Sequence, residues 1–170
     1  AESEGPALMV GYQRHIRAPY VTTRDHLAAS DATPKFITAE ITQPWIESQL
    51  GTWRTNPDLS GGGQLYDTGS HLVDAVLWTT GLTPTSVSAE MVFHDDEQRV
   101  DTQAMLTVNF ESDTVANIAV SGDAPRVREH IHVWGDEGAV YLDAEEWDPQ
   151  GITYIQPDGT EVSPMLDDPP

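Results

Sequence analysis

Asp67 and His71 stand one helical turn apart behind three consecutive glycines, Gly61-Gly62-Gly63, and Asp74 follows three residues later. A histidine one turn from a carboxylate can have its charge and ring orientation set by that neighbour, which suits it to exchange a proton with a hydroxyl near neutral pH. His71 is therefore the candidate acid/base and Asp67 its partner. At ~100° per residue, Asp67, His71, Asp74 and Trp78 fall within about 60° of arc on a continuous helix, and Leu65, Leu72 and Val76 lie nearly opposite. On an ordinary surface helix such a stripe is simply the solvated side. A large aromatic at Trp78 and a glycine run that lets a backbone pass close to the helix entrance point instead to a ligand cleft. The trio Asp67, His71 and Asp74 could in principle hold a divalent cation, but its spacing matches no strong metal motif, and no metal is expected.

Other chemical signals are weaker. His130 and His132 share one side of a strand, yet two ligands without a third do not make a metal site, so a surface or interface role is expected. No Lys-Ser or Lys-Thr follows the triple glycine, which argues against a phosphate cradle. The chain has no cysteine, which excludes disulfides, thiolate metal sites and a cysteine nucleophile. Residues Ala1 to Pro6 show neither a basic nor an apolar leader region, and no apolar run is long enough to span a bilayer, so a cytoplasmic protein is expected.

Charge restricts the partners. The 28 Asp and Glu face 8 Lys and Arg, a formal net charge of −20, and Lys35 is the single lysine. Nucleic acid is thereby excluded as a natural partner. The acids are dispersed among regular apolar patterns and five tryptophans, as in a folded domain with an acidic coat. Such a coat suits a halophilic source, where concentrated salt screens the self-repulsion; an acidic face for a basic partner is the alternative.

The elements that must position these residues follow from periodicity. Ala7 to Tyr12 is expected as a short strand, Pro19 to Ala29 as a helix of about three turns, and Lys35 to Trp45 as a strand stopped near Pro44. A loop leads to one long helix over Gln64 to Thr80, closed by Gly81 and Pro84. From there the period is two. Val87, Ala89, Met91 and Phe93, then Ala104, Leu106, Val108 and Phe110, predict half-buried antiparallel strands. Further strands are expected at Thr114 to Ser121, Glu129 to Gly135 and Ala139 to Asp143. A last hairpin, Ile152 to Gln156 with Thr160 to Ser163, turns at Pro157-Asp158-Gly159. The fold class is α+β, a mainly antiparallel open sheet with helices packed on one face. Tyr, Trp, Val and Met on the uncovered face would suit a homo-oligomer interface.

The run Trp53-Arg54 … Gly61-Gly62-Gly63 … Asp67 … His71 … Asp74, together with Val10-Gly11-Tyr12-Gln13-Arg14 and Tyr20, strongly resembles the glucose–fructose oxidoreductase and inositol dehydrogenase family, called Gfo/Idh/MocA, in its C-terminal domain. The resemblance runs from about Leu8 to Asp143, and its specific parts are residues 8–20 and 53–78. It implies residues 1–12 as the end of a connection from a cofactor domain. It implies residues 13–170 as a substrate-binding and oligomerisation domain, trimmed at its C-terminus. By the same resemblance Asp67 and His71 are catalytic, with the histidine in proton transfer, while Asp74, Arg14, Trp53 and Arg54 contact substrate or support the cleft. The cofactor would be NAD or NADP, held by the family's Rossmann half. That half and its catalytic lysine are absent here, so the isolated chain is expected to be inactive. Where the family often has a second arginine after Arg14, this chain has His15. The function implied is the substrate side of an NAD(P)-dependent oxidoreductase acting on a sugar, cyclitol or polyol. The alternative is a non-catalytic binding or dimerisation module of the same fold.

Overall fold

The computed structural model describes residues 8–30, 32–95 and 99–166. Its first helix, α1 (Ala18–Ala29), opens on Pro19, whose fixed φ and missing N–H suit a helix start. Pro19, Tyr20 and Thr23 are buried along one side of it. The expected strand over Ala7 to Tyr12 does not form: Leu8 to Tyr12 pair with nothing, and Leu8, Met9 and Val10 are exposed, while Ala7 lies outside the described residues. Apolar content alone makes no strand when no neighbouring backbone is in reach. Gln13–Ile16 instead forms a 3-10 turn leading into α1.

Strand β1 (Phe36–Thr42) buries Ile37, Ala39 and Ile41 and turns the residues between them outward. It is shorter than predicted, because Pro44 ends the ladder and Trp45 opens a short helix, α2 (Trp45–Gln49). A second short helix, α3 (Pro57–Ser60), is capped by the Asn56 side chain and closed by left-handed Gly61. The predicted long helix is two pieces: a π-helical turn over Leu65–Gly69, then α4 (Ser70–Thr80), stopped by left-handed Gly81 as the sequence suggests.

The strands that follow are β2 (Pro84–Phe93), β3 (Asp101–Phe110), β4 (Val115–Ser121), β5 (Arg128–Gly135), β6 (Gly138–Glu145), β7 (Asp148–Ile155) and β8 (Glu161–Val162). They form one eight-stranded sheet in the order β2-β3-β4-β1-β5-β6-β7-β8. All neighbours are antiparallel except β1 and β4, which run parallel with Phe36 opposite Val115. The connection from β4 to β5 crosses the end of β1, where Gln43 donates to the Ser121 carbonyl and Ala124 donates to that of Gln43.

The core lies between the sheet and its helices. Leu72, Ala75 and Val76 of α4, all fully buried, meet Ile37, Ile118, Val120 and Ile131 from the three central strands β1, β4 and β5, and Tyr20 of α1 joins the cluster. Among the described residues no helix covers the opposite face. On it Met105 and Trp134 are exposed, His130 and His132 stand with ring centroids 4.6 Å apart, and His132 pairs with Asp143 at 3.2 Å. Strand β2 departs from expectation, because its alternating residues Val87, Met91 and Phe93 are exposed and not half-buried. It is an edge strand paired only with β3, and no helix reaches over it.

Candidate active site

The glycine run is a packing junction. A Cβ on Gly63 would lie 2.2 Å from the Asp101 carbonyl oxygen, and one on Gly62 would lie 2.7 Å from the Tyr66 Cβ. Asp101 uses its whole carboxylate here: the Gly63 amide donates to Oδ1 at 2.8 Å and the Leu65 amide to Oδ2 at 2.6 Å. These are donors that a helix start leaves unsatisfied, and a buried carboxylate meets them. Gly63 packs directly against the β3 backbone, and its amide is already engaged by Asp101.

The π turn that follows is marked by the Gly69 amide donating to the Gln64 carbonyl, five residues back, at 2.9 Å. One extra residue in the turn changes where Asp67 points relative to α4. Its Oδ2 accepts from Trp45 Nε1 at 2.8 Å and from Arg54 Nε at 3.1 Å. The Arg54 guanidinium in turn lies over the Trp53 ring, 4.5 Å from its centroid. Asp67, Trp53 and Arg54 are thus brought together, with Trp45, which the sequence did not single out. Asp67 and His71 share no hydrogen bond; Asp67 acts on the imidazole through its charge.

Asp74 has a different partner. Its Oδ2 lies 2.8 Å from His15 Nε2. The His15 ring stacks on Trp78, with centroids 4.3 Å apart and planes 12° from parallel. The Arg24 guanidinium carbon sits 4.4 Å from the same Trp78 centroid. Trp78 is thus in close contact with both His15 and Arg24. Its place in the polar stripe is explained by His15 and Arg24 and not by a sugar.

Arg14 is buried and donates through Nε and Nη2 to the two carboxylate oxygens of buried Glu129 of β5; its Nε lies 2.8 Å from Oε1. Tyr20 donates to the same Oε1 at 2.6 Å. Burial, then the Glu129 charge, pushes the Tyr20 phenol far above its ordinary pKa, so it stays a donor. This network pins the Gln13–Ile16 turn to the sheet, and Arg14 supports the cleft without being open to a substrate.

His71 stands among these pairs. Its Nδ1 is buried and has no hydrogen-bond partner among the described residues, and the Tyr12 ring meets it edge-on at 5.3 Å. Burial, then Arg14, lowers its pKa, and the charges of Asp67, Asp74 and Glu129 only partly oppose this. The imidazole is therefore neutral near pH 7. The buried Nδ1 leaves Nε2 as the nitrogen that can meet a ligand. Its neighbours Tyr12, Ser70 and Asp74 line an open groove of about 550 Å³ between α4 and β2, with Leu77, Met91 and Leu106 along the apolar side; His71 itself is not part of that lining. The sequence did not mark Tyr12, His15, Asp101 or Glu129 as site residues, since each arrives from a separate element with no spacing that links it to the others.

The arrangement matches known proteins. In solved structures the chain is similar to an aldose–aldose oxidoreductase from Caulobacter crescentus complexed with glycerol, at 23% identity and a TM-score of 0.79, over 96% of this chain and 49% of that one. It is also similar to a UDP-N-acetylglucosamine 3-dehydrogenase from Acidithiobacillus ferrooxidans, at 18% identity and a TM-score of 0.68, over 94% and 47%. A levoglucosan dehydrogenase in complex with NADH and levoglucosan matches at 18% identity and a TM-score of 0.74, over 92% and 45%. At these identities the likeness is one of fold, and the chain spans about half the length of the solved chains it matches. No curated protein sequence matches it. The sequence profile of the GFO/IDH/MocA C-terminal domain matches residues 32–141, a span that holds β1, the glycine junction, α4 and most of the sheet, and with that match the chain belongs to this domain family.

Proposed function

We propose that this domain is the substrate-binding and proton-handling half of an NAD(P)-dependent oxidoreductase acting on a hydroxyl of a sugar, cyclitol or polyol. The observation that carries the proposal is His71, a neutral imidazole with a buried, unpartnered Nδ1, whose neighbours Tyr12, Ser70 and Asp74 edge an open groove. Oxidation of a hydroxyl releases a proton, and a neutral histidine is suited to receive it at Nε2. Asp74, Ser70 and Tyr12 at the polar end of the groove, with Arg54 and Asp67 nearby, supply donors and acceptors for sugar hydroxyls. The hydride acceptor, NAD or NADP, is held by a dinucleotide-binding domain outside these residues, and the isolated chain does not turn over. Three of the similar structures are named for activity on aldoses or other sugars, which supports the substrate class.

In the same proposal the uncovered sheet face, with Met105, Trp134 and Tyr141, joins copies of the chain, and the protein is cytoplasmic with an acidic coat adapted to concentrated salt. No described helix is long and apolar enough to cross a membrane. The test is a hydride-transfer assay of the full-length protein with NAD and with NADP against a panel of aldoses, cyclitols and polyols. Reduced cofactor formed with at least one class supports the proposal, and none with any class rejects it.

A further inference from the structure

We propose that His15 is a positioning residue for His71: by holding Asp74 in a hydrogen bond toward the Gln13–Ile16 turn, it keeps the carboxylate of α4 away from the imidazole. The inference rests on the assignment of His71 as the proton-handling residue.

Residues three apart on a helix are side-chain neighbours, so an unengaged Asp74 would lie within reach of His71. A carboxylate on that ring would favour its charged form and spoil it as a proton acceptor. The observed geometry prevents this. Asp74 Oδ2 is 2.8 Å from His15 Nε2, and the His15 ring is itself fixed by stacking on Trp78. Arg24 also packs on Trp78, and Arg14, next to His15, anchors the turn by its buried pair with Glu129.

The same pattern holds for every charged group that faces His71. Asp67 is engaged by Trp45 and Arg54, and Glu129 by Arg14 and Tyr20. Arg14 adds a positive charge from the turn, and Tyr12 covers the ring edge-on. Three carboxylates surround the imidazole electrostatically, and each is bonded to a different partner.

The experiment is an NMR titration of the histidine side chains in the 170-residue chain. His15→Ala releases Asp74, and His15→Phe does so while keeping a ring against Trp78, so that loss of stacking and loss of the hydrogen bond are separated. In both, the His71 midpoint should rise by about 0.5 to 1 pH unit. His15→Gln, which retains an N–H donor for Asp74, should restore the wild-type midpoint. Adding Asp74→Asn to either variant should abolish the rise. An unchanged His71 midpoint in His15→Phe, or a rise that persists with Asp74→Asn, overturns the proposal. If His15→Ala does not fold, His15→Phe and His15→Gln decide the matter. An unmoved titration rejects the role of His15 alone, whereas a full-length protein without hydride transfer rejects the oxidoreductase assignment and leaves the titration result standing.

Discussion

His71 is half-exposed and makes no hydrogen bond through Nδ1, so little of the fold depends on its polar atoms. In the full-length protein His71→Ala should therefore lower kcat by about 10² to 10⁴ while moving the thermal midpoint only slightly, a split that steady-state kinetics and calorimetry can check together. Loss of folding would mark the residue as structural. The lowered pKa has a stability consequence with a definite sign. The unfolded chain takes up a proton near the usual imidazole value of ~6.5, and the folded one only at lower pH. The contribution of His71 to stability is complete above that value and is lost as pH falls through the folded midpoint. Urea midpoints at pH 7.5 and 5.5 should show the loss, and His71→Asn should reduce it; about 1 M salt in both buffers screens the large negative charge. His26 and His130, also lowered by burial, shift in the same direction and remain in the variant as a background. The spacing of Asp67 and His71 disclosed both residues but not their relation. A four-residue interval implies a shared face only on an unbroken α-helix, and Gly69 lies against Val120 in a turn of different pitch.

Among the elements, the glycine–Asp101 junction sets the direction in which α4 leaves the loop. Gly63→Ala would push a methyl group into the β3 backbone, and the cost should be at least about 1 to 3 kcal/mol, the range for forced overpacking. Gly81→Ala, which meets nothing and strains only a left-handed φ, should cost less, about 1 kcal/mol. Chemical denaturation of the two variants side by side tests the order. Element types were legible where a period ran for two turns or more: α1, α4 and the strands β3 to β6 all fall within a few residues of their expected places. The short last hairpin also forms, with Glu161–Val162 inside its expected range, but other short segments were misread. Trp45 reads as the end of a strand by its apolar character, yet Pro44 breaks the ladder before it. Val87, Met91 and Phe93 have the alternation of a half-buried strand, and alternation cannot tell whether anything lies over that edge.

Across the whole molecule the sheet consists of two stretches of consecutive antiparallel strands, β2-β3-β4 and β5-β6-β7-β8, with β1 lying between them. The open-sheet class was readable from the repeated two-residue period, but the place of β1 was not, since a strand's own sequence does not name its neighbours. That placement has a kinetic consequence. Each flanking stretch is built from local hairpins and can form early, whereas β1 must enter between them from far away in the chain and pair in parallel with β4. It is the seam on which the two halves close, and closing it is the slow, entropically costly event. Ile118→Val in β4 should therefore slow refolding, while Ile41→Val in β1 should mainly accelerate unfolding, as stopped-flow measurements in urea would resolve. Until that strand is seated, the halves have unpaired edges exposed to other chains, so the interval before closure is when a newly made copy is most open to pairing with the wrong neighbour.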